Sequence, residues 1–183
     1  MKKLLQNLVL FSILLFGFHA QARLPNVCFS PSNCCEDNVI ELLKTSEKSV
    51  DIAIYSFTNA RILEALKEAK VRGLQIRIVT DKTQSKGKHS LIQALIDEGF
   101  DVRIKKKYRI EHNKFGIFDG AQVITGSYNW TESATNYNSE NCLIEKRITV
   151  VKKYSKRFNE LWELYEPRVE DVEAIAVNNE KQA

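Results

Sequence analysis

The sequence predicts an α/β domain whose sheet is mostly parallel and carries helices on its faces. Three observations predict it. Between Ser49 and Lys105, three strand-like runs alternate with two helical ones, the β-α-β-α-β order of a parallel sheet. The first of these strands, Ser49–Phe57, is apolar on both sides, with Val50, Ile52 and Ile54 opposite Ala53, Tyr55 and Phe57, as in a sheet interior covered by helices. Downstream, Asp119-Gly120 separates Lys114–Phe118 from Gln122–Thr125 and signals a hairpin.

Taken in order, Lys2 and Lys3 precede an apolar run from Leu8 to Phe18, and Ala20-Gln21-Ala22 supplies a small-x-small cleavage pattern. The run is shorter than the roughly 20 residues of a membrane span. Residues 1–22 are therefore expected to form a signal peptide, an uncleaved anchor being the alternative. The mature chain, 23–183, is expected to be one domain, exported to a periplasm or secreted. Removing residues 1–22 deletes two lysines and no acidic residue, so the formal net charge falls from +4 to +2. So mild an excess leaves any nucleic-acid affinity to local clusters of charge.

Residues 23–35 read as an irregular leading segment with turn chemistry at Phe29-Ser30-Pro31-Ser32. A helix follows over Glu36–Ser46, from the spacing of Val39, Ile40, Leu42 and Leu43. After the Ser49–Phe57 strand, Asn59 caps a helix through Arg72, and Gly73 stops it. Leu74–Thr80 is a short β-branched strand. Thr80–Lys88 is a polar loop, Leu91–Glu98 a helix ended by Gly99, and Phe100–Lys105 the third strand. Beyond the hairpin come a polar loop over Gly126–Ser139 with one helical turn, a strand at Glu140–Glu145, and an amphipathic helix over Ile148–Tyr165.

The four cysteines, Cys28, Cys34, Cys35 and Cys142, all lie in the mature part. An even number in an exported chain predicts disulfides. Neighbouring Cys34 and Cys35 are poor partners for each other. Two pairings stay open: Cys28–Cys34 with Cys35–Cys142, or Cys28–Cys35 with Cys34–Cys142.

The motifs exclude several chemistries. There is no G-x-x-x-x-G-K-[ST] loop, no G-x-S-x-G elbow and no H-E-x-x-H pair, and the mature chain has two histidines, His89 and His112. No cofactor and no metal site are expected. What stands out is His112-Asn113-Lys114, which puts an imidazole and an ammonium two residues apart on a strand-like run, hence on one face. His89 lies in Lys86-Gly87-Lys88-His89 without comparable company and reads as a surface-loop residue.

His112-x-Lys114-x4-Asp119, followed by Gly126-Ser127-Tyr128-Asn129-Trp130-Thr131 and by Asn138-Ser139-Glu140-Asn141, resembles the H-K-D signature of the phospholipase D superfamily. It is most similar to the small, single-motif endonuclease branch, which Tyr55-Ser56-Phe57-Thr58 and Arg72-Gly73 also fit. The resemblance covers roughly Phe29 to Leu164. It implies a phospholipase D-like fold, a mixed sheet flanked by helices on both faces, and an active site at which two H-K-D motifs meet. Because this chain has one such motif, the resemblance implies a homodimer.

The implied chemistry is metal-free phosphodiester cleavage. One His112 attacks phosphorus and forms a phosphohistidine, while the partner subunit's His112 protonates the leaving oxygen. Imidazole suits both tasks because it titrates near neutrality. Lys114 and Asn129 hold the non-bridging oxygens, supported by Ser127. Glu140 matches a family glutamate that orients the imidazole. Asp119 carries the signature's last letter, yet its place in a D-G turn favours a structural role.

The basic run Arg103–Arg109 precedes the motif, and Lys105, Lys107 and Arg109 are candidates for contacting a polyanion, with Tyr108 or Trp130 offering a stacking surface. The expected substrate is nucleic acid, DNA and also RNA, cleaved with little sequence preference. A phospholipid phosphodiesterase is the alternative, since anionic lipid would also attract the basic run. A nucleic-acid-binding module without turnover is the third reading.

Overall fold

A computed structural model describes residues 26–104 and 108–165. The expected signal peptide and the candidates Lys105 and Lys107 lie outside the described residues. Seven strands form one sheet in the order β1-β7-β6-β5-β2-β3-β4. They are β1 (Val27–Ser30), β2 (Ser49–Ile54), β3 (Gln75–Thr80), β4 (Asp101–Ile104), β5 (Lys114–Phe118), β6 (Gln122–Gly126) and β7 (Glu140–Glu145). The helices are α1 (Cys34–Thr45), α2 (Ala60–Val71), α3 (Ile92–Asp97), α4 (Glu132–Asn136) and α5 (Ile148–Leu164).

The sheet is mixed, but its balance corrects the mostly parallel expectation. Only β2–β3 and β3–β4 pair in parallel. The β2–β5, β5–β6, β6–β7 and β1–β7 pairs are antiparallel. The cause is the second half of the chain. The hairpin at Asp119-Gly120 docks against β2, and every later addition extends that edge. The leading segment, expected to be irregular, contributes β1, whose register pairs Val27 with Leu143 and Ser30 with Glu140.

Helices cover both faces. The larger core packs α1, α2 and α3 on Val50, Ile52, Ile54, Ile78 and Phe118. The smaller one seats α5 on Ala53, Phe115, Ile117 and Val123 through Val151, Phe158, Leu161 and Trp162. Buried apolar surface at about 25 cal/mol per Å2 drives both layers. Asn59 caps α2 by accepting from the Ile62 amide at 3.0 Å, while its own amide donates to buried Glu36 of α1 at 2.9 Å. Disulfides join Cys28 to Cys34 and Cys35 to Cys142, the first of the two pairings left open.

Candidate active site

Strand alternation fixes where the motif points. Phe115 and Ile117 face α5, so Lys114, Gly116 and Phe118 face the other layer. Lys114 opens β5 opposite Ile54, and its ammonium turns back to donate to the His112 carbonyl at 2.8 Å. Nζ also lies 3.3 Å from His112 Nδ1. An ammonium can only donate, so this contact is a hydrogen bond only in a ring whose Nδ1 carries no proton. The exposed imidazole packs on Tyr55 with ring centroids 4.5 Å apart, and Lys114 Nζ lies 5.1 Å from the same phenol ring. Burial lowers the Lys114 pKa, opposed by the nearby carboxylates of Glu140 and Glu111.

The Gly126-Ser127 step has a steric reason. A Cβ on Gly126 would stand 2.2 Å from the Asn141 carbonyl oxygen. Without one, that carbonyl enters the turn and accepts from the Ser127 and Tyr128 amides at 3.1 and 3.2 Å. The Ser127 hydroxyl then accepts from the Asn141 amide at 3.1 Å and donates to Glu140 at 2.5 Å. The other Glu140 oxygen accepts from Asn138 Nδ2 at 3.0 Å, and the Glu140 amide donates to Ser30 of β1 at 3.1 Å. Asn129 Oδ1 is buried with no hydrogen-bond partner. Such an atom costs roughly 1–3 kcal/mol and is rarely kept without a use.

His112 is held through its neighbours, which the sequence did not single out. Glu111 is 2% exposed. Its carboxylate accepts from the Tyr165 hydroxyl at 2.6 Å and from the Asn113 amide and side chain at 3.1 and 2.6 Å. Its backbone N–H donates to buried Asp81 at 3.0 Å. Burial and the Glu111 contact push the Tyr165 phenol well above its ordinary pKa. Both sides of His112 are thus tied to buried carboxylates. A glutamate and a tyrosine 54 residues apart offer no local pattern from which to infer this.

Other candidates lie elsewhere. Asp119 sits at the far end of β5 from Lys114, in a left-handed turn conformation with φ 53°. Its carboxylate accepts from the amides of Glu47, Lys48 and Ser49 at 3.0, 2.8 and 3.0 Å, so it ties the hairpin to the start of β2 and is not part of the site. Burial opposes its ionisation, but those amides prevail and lower its pKa. Trp130 is 2% exposed and packs edge-on to Phe57, which removes it as a stacking surface. Arg103 donates to the carbonyls of Trp162 and Tyr165 at 2.7 and 3.2 Å, serving the end of α5 rather than a groove. Arg109 and Tyr108 are exposed, and Arg157 stands over the Tyr108 ring at 5.4 Å. An open cleft of about 780 Å3 adjoins the site, sharing Tyr55 and Asn129 with it and running to Lys88 and His89. Among the described residues, no three His, Cys, Asp or Glu side chains gather as metal ligands.

A mixed sheet that carries H-x-K where one strand begins, and G-S-x-N where the next ends, defines a phospholipase D-like domain. The chain belongs to that superfamily: residues 39–162 match the family described as cardiolipin synthase, PLD-like domain. It is 34% identical over 126 residues to mitochondrial cardiolipin hydrolase of Xenopus tropicalis, a match covering 69% of this chain and 60% of the relative. It is 37% identical over 123 residues to phospholipase D of Rickettsia prowazekii, covering 67% and 60%. The chain thus spans about three fifths of the length of these curated relatives. Nuc from Salmonella typhimurium, a phospholipase D family member, superposes with TM-score 0.73 at 28% identity, covering 78% of this chain and 95% of that one. NucT from Helicobacter pylori superposes with TM-score 0.70 at 25% identity, covering 78% and 99%.

Proposed function

We propose that this protein is an exported, metal-independent phosphodiesterase, an endonuclease that cleaves DNA, and RNA as well, with little sequence preference. The observation that carries the substrate class is the cleft beside His112: apart from Leu91 and the Tyr55 ring, its lining side chains are polar. A sugar–phosphate chain can hydrogen-bond along such a surface. The near-complete coverage of Nuc and NucT supports the same reading.

In this mechanism His112 attacks phosphorus as the P–O bond to the leaving alcohol breaks, giving a phosphohistidine. A second copy's His112 gives its proton to that alcohol, then takes one from the water that splits the P–N bond. The donating copy acts as imidazolium, with protons on both ring nitrogens, so that neutral imidazole is left when its Nε2 proton goes to the alcohol. The attacking copy keeps a proton on Nδ1 as well and leaves Nε2 free to reach phosphorus. The Lys114 ammonium and the Asn129 side-chain NH2 donate to the non-bridging oxygens.

Phospholipid is the second reading. The names of the family and of the curated relatives favour it, as does one structural feature. Phe29 is 68% and Val27 50% exposed on β1, and Val27 stands beside exposed Leu143 of β7, the strand that carries Glu140. Plasmid DNA and anionic phospholipid vesicles, each incubated with the mature protein in EDTA, separate the readings. Nicking without lipid hydrolysis is expected. Lipid hydrolysis without nicking overturns the nuclease, and activity that EDTA removes overturns the metal-free mechanism.

A further inference from the structure

The cleft continues past the catalytic group to residues that the mechanism does not use. Its wall opposite Asn129 is the loop between β3 and α3, where residues 82–90 carry Lys82, Lys86, Lys88 and His89 and no acidic side chain. The loop is held in shape. Asp81 accepts from the Thr83 and Gln84 amides at 2.8 and 3.1 Å, and the Leu91 amide donates to the Phe57 carbonyl at 3.0 Å. Gln84 also donates to the Tyr55 hydroxyl at 3.1 Å, and Tyr55 is the ring on which His112 rests. The loop and the reacting group are therefore joined through the Tyr55 side chain. Lys88 and His89 are exposed into the cleft, and Lys88 forms no salt bridge among the described residues. One carboxylate, Glu132, lies on the facing wall with Thr131, where Asn136 Nδ2 donates to it at 3.4 Å. Its charge sends an anion towards the lysine side of the cleft.

We propose that Lys88 and His89 form a second phosphate subsite, which takes the phosphodiester next to the scissile one in a polynucleotide. The inference rests on the phosphodiesterase reading and extends it. One end of the cleft handles the reacting phosphate, and the other supplies cationic donors for a phosphate one repeat away. A substrate with a single phosphodiester cannot use both. Cardiolipin is the lipid that could, having two phosphates joined by a glycerol.

The test compares the wild type with Lys88→Ala/His89→Ala on substrates of one and several phosphates. These are bis(p-nitrophenyl) phosphate, a dinucleoside monophosphate and a single-stranded decanucleotide. The decanucleotide's KM is expected to rise about tenfold more than that of either single-phosphate substrate, the size of one lost phosphate contact. The slope of log affinity against log salt should fall by roughly 0.7 per contact removed. Equal losses on all three substrates, or an unchanged salt slope, overturn the subsite. The same titration on His112→Asn protein reads binding without turnover. A subsite effect there, with no hydrolysis of any substrate by the wild type, overturns the phosphodiesterase reading and keeps the subsite. A loss confined to cardiolipin vesicles, absent with phosphatidylglycerol and the decanucleotide, overturns the polynucleotide as its source.

Discussion

At the scale of the residue, two members of one signature part company. His112 and Lys114 share the site with Tyr55, whereas Asp119 closes a turn at the other end of the same strand. His112→Asn should therefore lower kcat by at least about 10^3-fold, as loss of a covalent nucleophile does, and leave decanucleotide binding within about twofold. Undiminished turnover would remove His112 from the mechanism. Asp119→Ala should act on stability instead, by roughly 1–3 kcal/mol for three orphaned amides, with kcat of the folded protein within a few-fold of wild type. Its pH dependence has a definite sign. A carboxylate whose pKa is lower folded than unfolded stabilises above its unfolded value of about 3.9, and that stability is lost as pH falls through the folded value. The gap between wild type and Asp119→Ala in urea unfolding should thus be full at pH 7 and shrink below about pH 4. A gap that widens in acid would contradict this account. Lys114 offers a second titration. Its lowered pKa predicts that activity falls at a pH below the ordinary lysine value of about 10.4, and that Lys114→Arg removes this limb.

At the scale of the element, what could be read from the sequence was whatever has a local period or a local turn. The α2 cap at Asn59, the hairpin at Asp119-Gly120 and the apolar stripe of α5 are such signals, and each element lies within a few residues of its expected bounds. Strand direction beyond a hairpin is not local, which is why the antiparallel pairings of β2 with β5, β6 with β7 and β7 with β1 went unseen and why β1, four residues with one exposed face, read as irregular. The site divides the same way. Close spacing revealed the H-x-K pair and the Gly126-Ser127 turn. The Tyr165–Glu111 bond and the approach of the Lys88 loop to Asn129 depend on chain segments far apart. Trp130 misled because an aromatic beside a motif looks the same in sequence whether it faces the cleft or the core.

The disulfides test how far one element depends on another. Cys35–Cys142 spans 107 residues and ties α1 to the strand bearing Glu140, whereas Cys28–Cys34 spans 6. By loop entropy their removal should cost about 4.8 and about 2.4 kcal/mol respectively. The Cys35→Ser/Cys142→Ser protein should accordingly unfold at distinctly lower urea concentration than Cys28→Ser/Cys34→Ser. Equal midpoints would show that α1 and β7 hold together without the long bridge.

At the scale of the whole molecule, the decisive point is how many histidines a displacement at phosphorus needs. The attacking nitrogen and the proton donor stand on opposite sides of the phosphorus atom, and the sequence supplies one H-x-K motif, with His112 exposed. If two copies complete one site, a subunit lacking His112 poisons whichever wild-type subunit it meets. Mixing wild type with His112→Asn, unfolding and refolding together, gives random pairs. Activity per wild-type copy should then fall to about one half in an equimolar mixture and about one tenth at a ninefold excess of the variant, because only wild-type pairs carry both histidines. A chain that works alone would keep full activity per wild-type copy in every mixture. Dilution gives an independent reading of the same question. Specific activity of the wild type should drop as the concentration passes below the dimer's dissociation constant, and sedimentation should show the dimer disappearing over the same range. A protein that stays fully active as a monomer would refute the shared site, even if His112→Asn alone were inactive.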